Sequence, residues 1–192
     1  MHALPLFPLP ALVYPGGLLP LQIFEPRYLR MIKHCLQAGT GFVIVQTAEQ
    51  GEDGLAGQFF DIGCYCEVAD WHPLPNELLG IDVRGLRKVR IHSHQAEPDN
   101  LLIGQCEYLP QEPPMLVSDQ HQLLLKLLRD IQKHPVIEMM GLDIDYQDAT
   151  EVGYRLAEFL PFTIEEKQLL LESDSALARL NTIESLIHHL GG

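Results

Sequence analysis

Over residues 1–111 the apolar residues come in short runs punctuated by glycine and proline, and after Pro110–Pro114 they fall at helical spacing. The first pattern predicts strands over Leu4–Leu6, Leu18–Phe24, Phe42–Gln46, Ile62–Ala69, Leu78–Val83, Lys88–His92 and Leu101–Tyr108. Strands at such spacing point to a barrel or sandwich. Pro5 and Pro20 are expected at edges or strand ends, since proline donates no ladder hydrogen bond. One helix interrupts the strands. Pro26 suits its first turn; Leu29, Ile32 and Leu36 should line its buried face with Cys35 beside them, and Gly39 and Gly41 end it. Residues 47–58 have no apolar period and read as a mobile loop.

In the second part, Asp119 can cap a helix whose face is Leu124, Leu127, Leu128 and Ile131, with Pro135 just beyond its end. Asp148 should start another helix, burying Val152, Leu156, Phe159 and Leu160 and stopping before Pro161. Thr163 and Glu166 form a capping-box pattern. Ser173 or Ser175 caps a last helix with Leu177, Leu180, Ile183, Ile187 and Leu190 as its stripe and Gly191 as its stop. The pattern thus divides the chain at 1–111 and 112–192, and short connections favour antiparallel helices.

Charge narrows the partners. Against 13 basic residues stand 26 acidic ones, a net −13. Residues 1–111 carry 7 basic and 12 acidic residues, and 112–192 carry 6 and 14, so neither part is a basic arm. Such a field disfavours nucleic acid and anionic membrane. The apolar start has no basic leader and is broken by Pro5, Pro8, Pro10 and Pro15, so it does not read as a signal peptide. Cys35, Cys64, Cys66 and Cys106 form no disulfide pattern, and a cytoplasmic location with reduced thiols is expected.

Chemistry-bearing patterns are few. Cys64-Tyr65-Cys66 puts two thiols on one strand face, read as buried structural cysteines because a zinc site needs four ligands. His92-Ser93-His94 and His188-His189 lack metal-ligand spacing. No G-x-S-x-G elbow or phosphate loop occurs, and the carboxylates are scattered. The reading is therefore no catalytic group, no cofactor and no metal. Arg84, Arg87, Lys88 and Arg90 form the one basic cluster, a positive stripe that is either a solvated strand face or a site for acidic peptide or phosphate.

The segments Leu4-Pro5-Leu6-Phe7, Tyr14-Pro15-Gly16 and Leu19-Pro20-Leu21-Gln22-Ile23-Phe24-Glu25-Pro26-Arg27-Tyr28 resemble the N-terminal substrate-binding domain of Lon proteases. So do Gly41–Val45, Ile62–Cys64, Val83–Ile91 (with Lys88 in the place of an arginine) and Leu160-Pro161-Phe162 with the helices after it. The resemblance implies an α+β fold, a PUA-like β pseudobarrel followed by a C-terminal α-helical bundle. It implies recognition of unfolded or exposed protein segments, with ATPase and peptidase chemistry carried by domains absent from this sequence, as in a stand-alone member. Possible contact or family-motif residues are Phe24, Glu25, Arg27, Tyr28, Arg84, Lys88 and Arg90. An RNA-binding PUA-like module and an unrecognised small-molecule enzyme are the alternatives.

Overall fold

The structure is a computed structural model that describes residues 1–47, 59–75 and 78–190. The Gly191 stop and nearly all of the 47–58 loop lie outside the described residues. The chain forms two compact units, Met1–Gln111 and Glu112–Gly192.

The first unit has strands β1 (His2–Leu9), β2 (Leu18–Ile23), β3 (Phe42–Gln46), β4 (Ile62–Pro73), β5 (Leu79–Ala96) and β6 (Leu102–Tyr108), with helix α1 (Pro26–Ala38) between β2 and β3. Their order is β2-β5-β4-β3-β1-β6, and β6 pairs back onto β5. The ring β5-β4-β3-β1-β6 therefore closes, leaving β2 outside it. Only β1–β3 is parallel. Pro5 lies where β1 pairs with β6 alone, because β3 joins from Leu6 onward. Pro20 sits in the outlying β2.

Period-two alternation gives the ring two apolar faces. Phe7, Phe42, Ile44, Cys64 and Cys66 join Tyr28, Met31, Ile32 and Cys35 of α1 in one cluster. Leu6, Val43, Val45, Val89, Ile91 and Cys106 form the other. A helix cannot fit inside so small a ring, so the face under α1 is the outer one and the second cluster fills the interior. Glycine is needed there: a Cβ on Gly63 would lie 2.5 Å from the Ile44 carbonyl oxygen, and one on Gly104 2.9 Å from Leu6 Cδ2.

Several expectations for this unit need correction. The predicted strands Leu78–Val83 and Lys88–His92 are one strand, β5. Gly85 marks no turn but the start of a β-bulge, where a side chain would strike the Tyr14 carbonyl. β4 runs on to Pro73 rather than ending at Ala69. In α1 the buried residues are Tyr28, Met31, Ile32 and Cys35, an i, i+3, i+4, i+7 set, while Leu36 is 45% exposed. Tyr28 and Met31 rotate the face away from the leucines because they pack within the same cluster as Phe7 and Phe42.

The second unit has helices α2 (Gln122–Gln132), α3 (Pro135–Glu138), α4 (Ala149–Phe159), α5 (Ile164–Glu172) and α6 (Ala176–Leu190). Asp119 opens a 3₁₀ turn, Asp119–His121, ahead of α2 instead of capping it. The short α3 is absent from the sequence pattern, and Pro135 is its first residue. Leu124, Leu125 and Leu128 are the buried residues of α2, so Leu125 replaces Leu127 and Ile131 at the centre of its face. Asp148 accepts from Thr150 N–H at 2.9 Å, and Thr163 and Glu166 complete the capping box. Ser175 Oγ accepts from Ala178 N–H at 3.2 Å. Leu177 is 40% exposed, off the stripe predicted for α6. Arg179 takes its place in the interior: it pairs with buried Glu112, donates from Nε to the Leu170 carbonyl at 3.0 Å and lies 3.9 Å from the Tyr154 ring centroid. Tyr154 Oη donates to the same Glu112 at 2.9 Å, so this buried charge pair is closely hydrogen-bonded.

Candidate functional site

The segment Phe24–Tyr28 joins β2 to α1. Pro26 occupies the first helical turn, and Glu25 has the extended backbone of an N-cap, φ −75° and ψ 131°, without a side-chain cap bond. Its carboxylate instead accepts from Arg27 Nε at 2.8 Å. Arg27 Nη1 donates to the Asn100 carbonyl at 3.0 Å, and its guanidinium lies 4.7 Å from the Tyr28 ring centroid. Tyr28 is buried, 4.1 Å from the Phe7 ring centroid. Burial raises its hydroxyl pKa, and Arg27 opposes the shift.

One turn further, Arg30 pairs with Glu97 and, at 2.8 Å, with Asp99. Desolvation pushes the Asp99 carboxyl up, but the Leu101 N–H and Arg30 outweigh it and hold it below the usual range. Arg27 and Arg30 therefore tie α1 to the β5–β6 turn, where Asn100 takes φ 65°. Glu25, Arg27 and Tyr28 face inward to this frame; Phe24 is 67% exposed.

The basic run does not form one stripe. Arg84 faces Glu67 across the sheet and Arg87 faces Tyr65, whereas Lys88 faces Cys64 and Arg90 faces Ile62. Cys64 belongs to the outer apolar cluster and Tyr65 packs on the inner one. Cross-strand partners share a face. The bulge between these pairs thus sends Arg84 and Arg87 to one face and Lys88 and Arg90 to the other. Lys88 is only 8% exposed.

Beyond the ring, the first half of β5 runs between β2 and the far end of β4 as a three-stranded arm. Its cross-strand rows on one face are Leu19–Val83–Val68, Leu21–Ile81–Trp71 and Ile23–Leu79–Pro73. All are apolar. Rows on the other face are Leu18–Arg84–Glu67, Pro20–Asp82–Asp70 and Gln22–Gly80–His72. The apolar face is continuous with the core under α1. Ile23, Ile81 and Val83 are buried, Leu19, Leu21, Val68 and Leu79 are half-buried, and Trp71 is 57% exposed.

Both arm edges are interrupted, β2 by Pro20 and β4 by a bulge between Val68 and Asp70, features that discourage strand addition. Trp71 and Pro73 escape the sequence pattern because that bulge breaks the alternation at Ala69. The regular spacing of Leu19, Leu21 and Ile23 against Leu79, Ile81 and Val83 is the signal that the sequence does carry.

The thiols are packed. Cys66 Sγ donates to the Cys64 carbonyl at 3.3 Å, and burial raises its pKa well above that of a free thiol. Burial pushes Cys106 up to about 11. Such thiols are poor nucleophiles at neutral pH. Among the described residues no group of His, Cys, Asp and Glu is placed to hold a metal ion. His92 contacts Glu107 at 2.9 Å, and His94 packs on Phe59. No helix among the described residues is long and apolar enough to cross a membrane.

Comparison with known proteins places this architecture. The chain is 24% identical over 187 residues to Lon protease 2 of Thermus thermophilus, covering 92% of this chain and 23% of that protein. It is 23% identical over 195 residues to Lon protease of Brevibacillus choshinensis, covering 97% and 25%. The chain thus spans about a quarter of the length of these relatives. Among solved structures, a Lon N-terminal domain protein from Xanthomonas campestris superposes with a TM-score of 0.78 at 26% identity, covering 96% of this chain and 98% of that one. The N-terminal domain of Mycobacterium avium complex Lon protease shares the fold, with a TM-score of 0.66 at 17% identity over 95% and 96% of the two chains. The family model for the ATP-dependent protease La (LON) substrate-binding domain matches residues 3–189, and the chain belongs to that family.

Proposed function

We propose that this chain is a non-catalytic binding module for exposed or unfolded segments of other proteins, and that these segments lie on the apolar face of the arm. The observation that carries the reading is the run of apolar rows from the buried core out to Trp71. An exposed indole next to half-buried leucines gains from a covering partner at about 25 cal/mol per Å² of apolar area. The interrupted edges favour docking on the face over strand addition. In this reading Phe24 adds an exposed aromatic contact. Glu25, Arg27 and Tyr28 position the helix, and Arg84, Lys88 and Arg90 contribute little because they are divided between two faces. The family description, substrate-binding, supports the same class of partner.

Trp71 is the sole tryptophan and reports directly. A permanently unfolded protein should shift its emission to the blue with little change between about 50 and about 200 mM salt, since apolar burial is not screened. By calorimetry, Trp71→Ala should weaken binding at least about tenfold, the loss expected of a buried aromatic anchor. Its melting curve should stay within about 0.5 kcal/mol of the parent. RNA binding with a steep salt dependence, lost in Arg90→Glu, would replace this reading with the nucleic-acid one. Unchanged affinity in Trp71→Ala would remove the arm from it.

A further inference from the structure

Strand β1 runs from His2, but β3 joins it only at Leu6, so the first residues of β1 project beyond the closed ring. Along a strand, the N–H and C=O groups of alternate residues point to alternate sides. The Leu9 carbonyl accepts from Thr47 N–H at 3.0 Å, so the odd-numbered residues of β1 aim their backbone groups at the β3 side. Pro5 brings no N–H to that side. Ala3 brings both a donor and an acceptor, and neither meets a partner among the described residues. The chain ahead of β3 turns away from them. Thr40 N–H donates to the Cys35 carbonyl at 3.0 Å, and Gly41 N–H donates to Tyr65 Oη at 2.7 Å. Gly41 lies so close to β4 that a Cβ on it would be 2.0 Å from the Cys66 carbonyl oxygen.

The gap left beside Ala3 is a cavity of about 390 Å³ that reaches from Ala3–Pro5 to Thr40, Gly41 and α1. Met31, Cys35, Leu101 and Ile103 give it an apolar wall, while Arg30 and Glu97, which also line it, pair with each other. Ala3 shares the outer face of the ring with Phe7, the face under α1. A residue set opposite Ala3 would present its side chain to that same face, toward the apolar wall. A free donor and acceptor on one residue match one residue of antiparallel extended backbone, which exchanges both bonds at once. A second copy of this chain does not fit. Two-fold pairing of two β1 edges would bring both α1 helices onto one face beside the shared edge, where α1 already walls the cavity.

We propose that Ala3 anchors a strand-addition site, separate from the arm, which takes an extended antiparallel segment of another protein with an apolar residue opposite Ala3. The peptide Ser-Thr-Leu-Thr-Ser with both ends blocked tests it by NMR titration of the full chain. The shifts should centre on Ala3, Met31 and Gly41, and exchange of the Ala3 amide proton should slow in the complex. Methylating the leucine nitrogen removes the proton given to the Ala3 carbonyl and should weaken binding about tenfold, the size expected when a buried acceptor is left unmet. Methylating the next nitrogen, which points away from β1, should leave the affinity unchanged. Ala3→Pro should cost a similar factor and keep the fold, since Pro5 already occupies the equivalent place two residues on and the Ala3 N–H does not serve β6. Should Ala3→Pro disturb β1, the exchange of the Ala3 amide in the unaltered chain decides. Trp71→Ala should leave this binding intact, which separates the site from the arm. No shifts at millimolar peptide, equal or reversed effects of the two methyl groups, or shifts centred on Trp71 would each overturn the proposal. So would protection of the Ala3 amide that grows with protein concentration in the absence of peptide, which would give the edge to a second copy.

Discussion

The two halves of β5 share one backbone, yet they do different things. From Lys88 onward the strand lies in the closed ring, and its inward residues Val89 and Ile91 pack with Leu6, Val43, Val45 and Cys106. From Leu79 to Arg84 it lies in the open arm, where its apolar face is covered near Ile81 and Val83 and uncovered toward Trp71. Closure explains the difference. A ring has no edges and can bury its inner face completely, whereas an arm keeps two edges and one partly wet face. Stability therefore concentrates in the ring, and uncovered apolar surface is left on the arm.

The comparison breaks first if matched truncations behave alike. Leu6→Ala, at a fully buried ring position, should lose about 2–5 kcal/mol in urea unfolding, through transfer and cavity terms together. Gly63→Ala should lose about 1–3 kcal/mol, because the added methyl meets the backbone carbonyl of Ile44, which cannot swing aside as a side chain would. Leu21→Ala, half-buried on the arm, should lose only about 1 kcal/mol. A Leu21→Ala loss equal to that of Leu6→Ala would mean that the arm is as much core as the ring.

The smallest expected effect concerns the turn that α1 holds. Asp99 has a lowered pKa in the folded chain, so the unfolded chain binds more protons as pH drops below the ordinary carboxylate range. The stabilisation is present above that range and is lost as pH falls through the lower folded value. Asp99→Asn should therefore lower the melting temperature slightly at neutral pH and converge with the parent in acid. A gap that stays constant with pH would exclude the Arg30–Asp99 pair as its cause.

Local chemistry makes much of the fold legible in the order of residues alone. β3 spans Phe42–Gln46, the run predicted from the apolar Phe42–Val45. Pro26, Asp148, Ser175 and the Thr163–Glu166 box act where they stand, because capping is satisfied within one turn of chain. The α+β class and the resemblance carried by Leu19–Tyr28 are likewise readable from neighbouring residues. The candidate surface is only half legible. Its inner rows follow period two, but Trp71 lies beyond a bulge that shifts the register, and a bulge is set by the partner strand. The basic run looks like one stripe for the same reason, since only the bulge after Gly85 sends Arg84 and Lys88 to opposite faces.

Sequence by itself determined where α1, α4 and α5 begin and which residues are apolar. Tertiary structure decided which of those apolar residues are covered. Tyr28 and Met31 displaced Leu36 from the buried face of α1, and Arg179 entered the interior of the helical unit where Leu177 was expected. Burial depends on what the opposing element supplies: an aromatic cluster beneath Tyr28, and the Glu112 carboxylate with the Tyr154 ring for Arg179. Glu112 lies 67 residues from Arg179 and 42 from Tyr154 along the chain, beyond the reach of any local pattern.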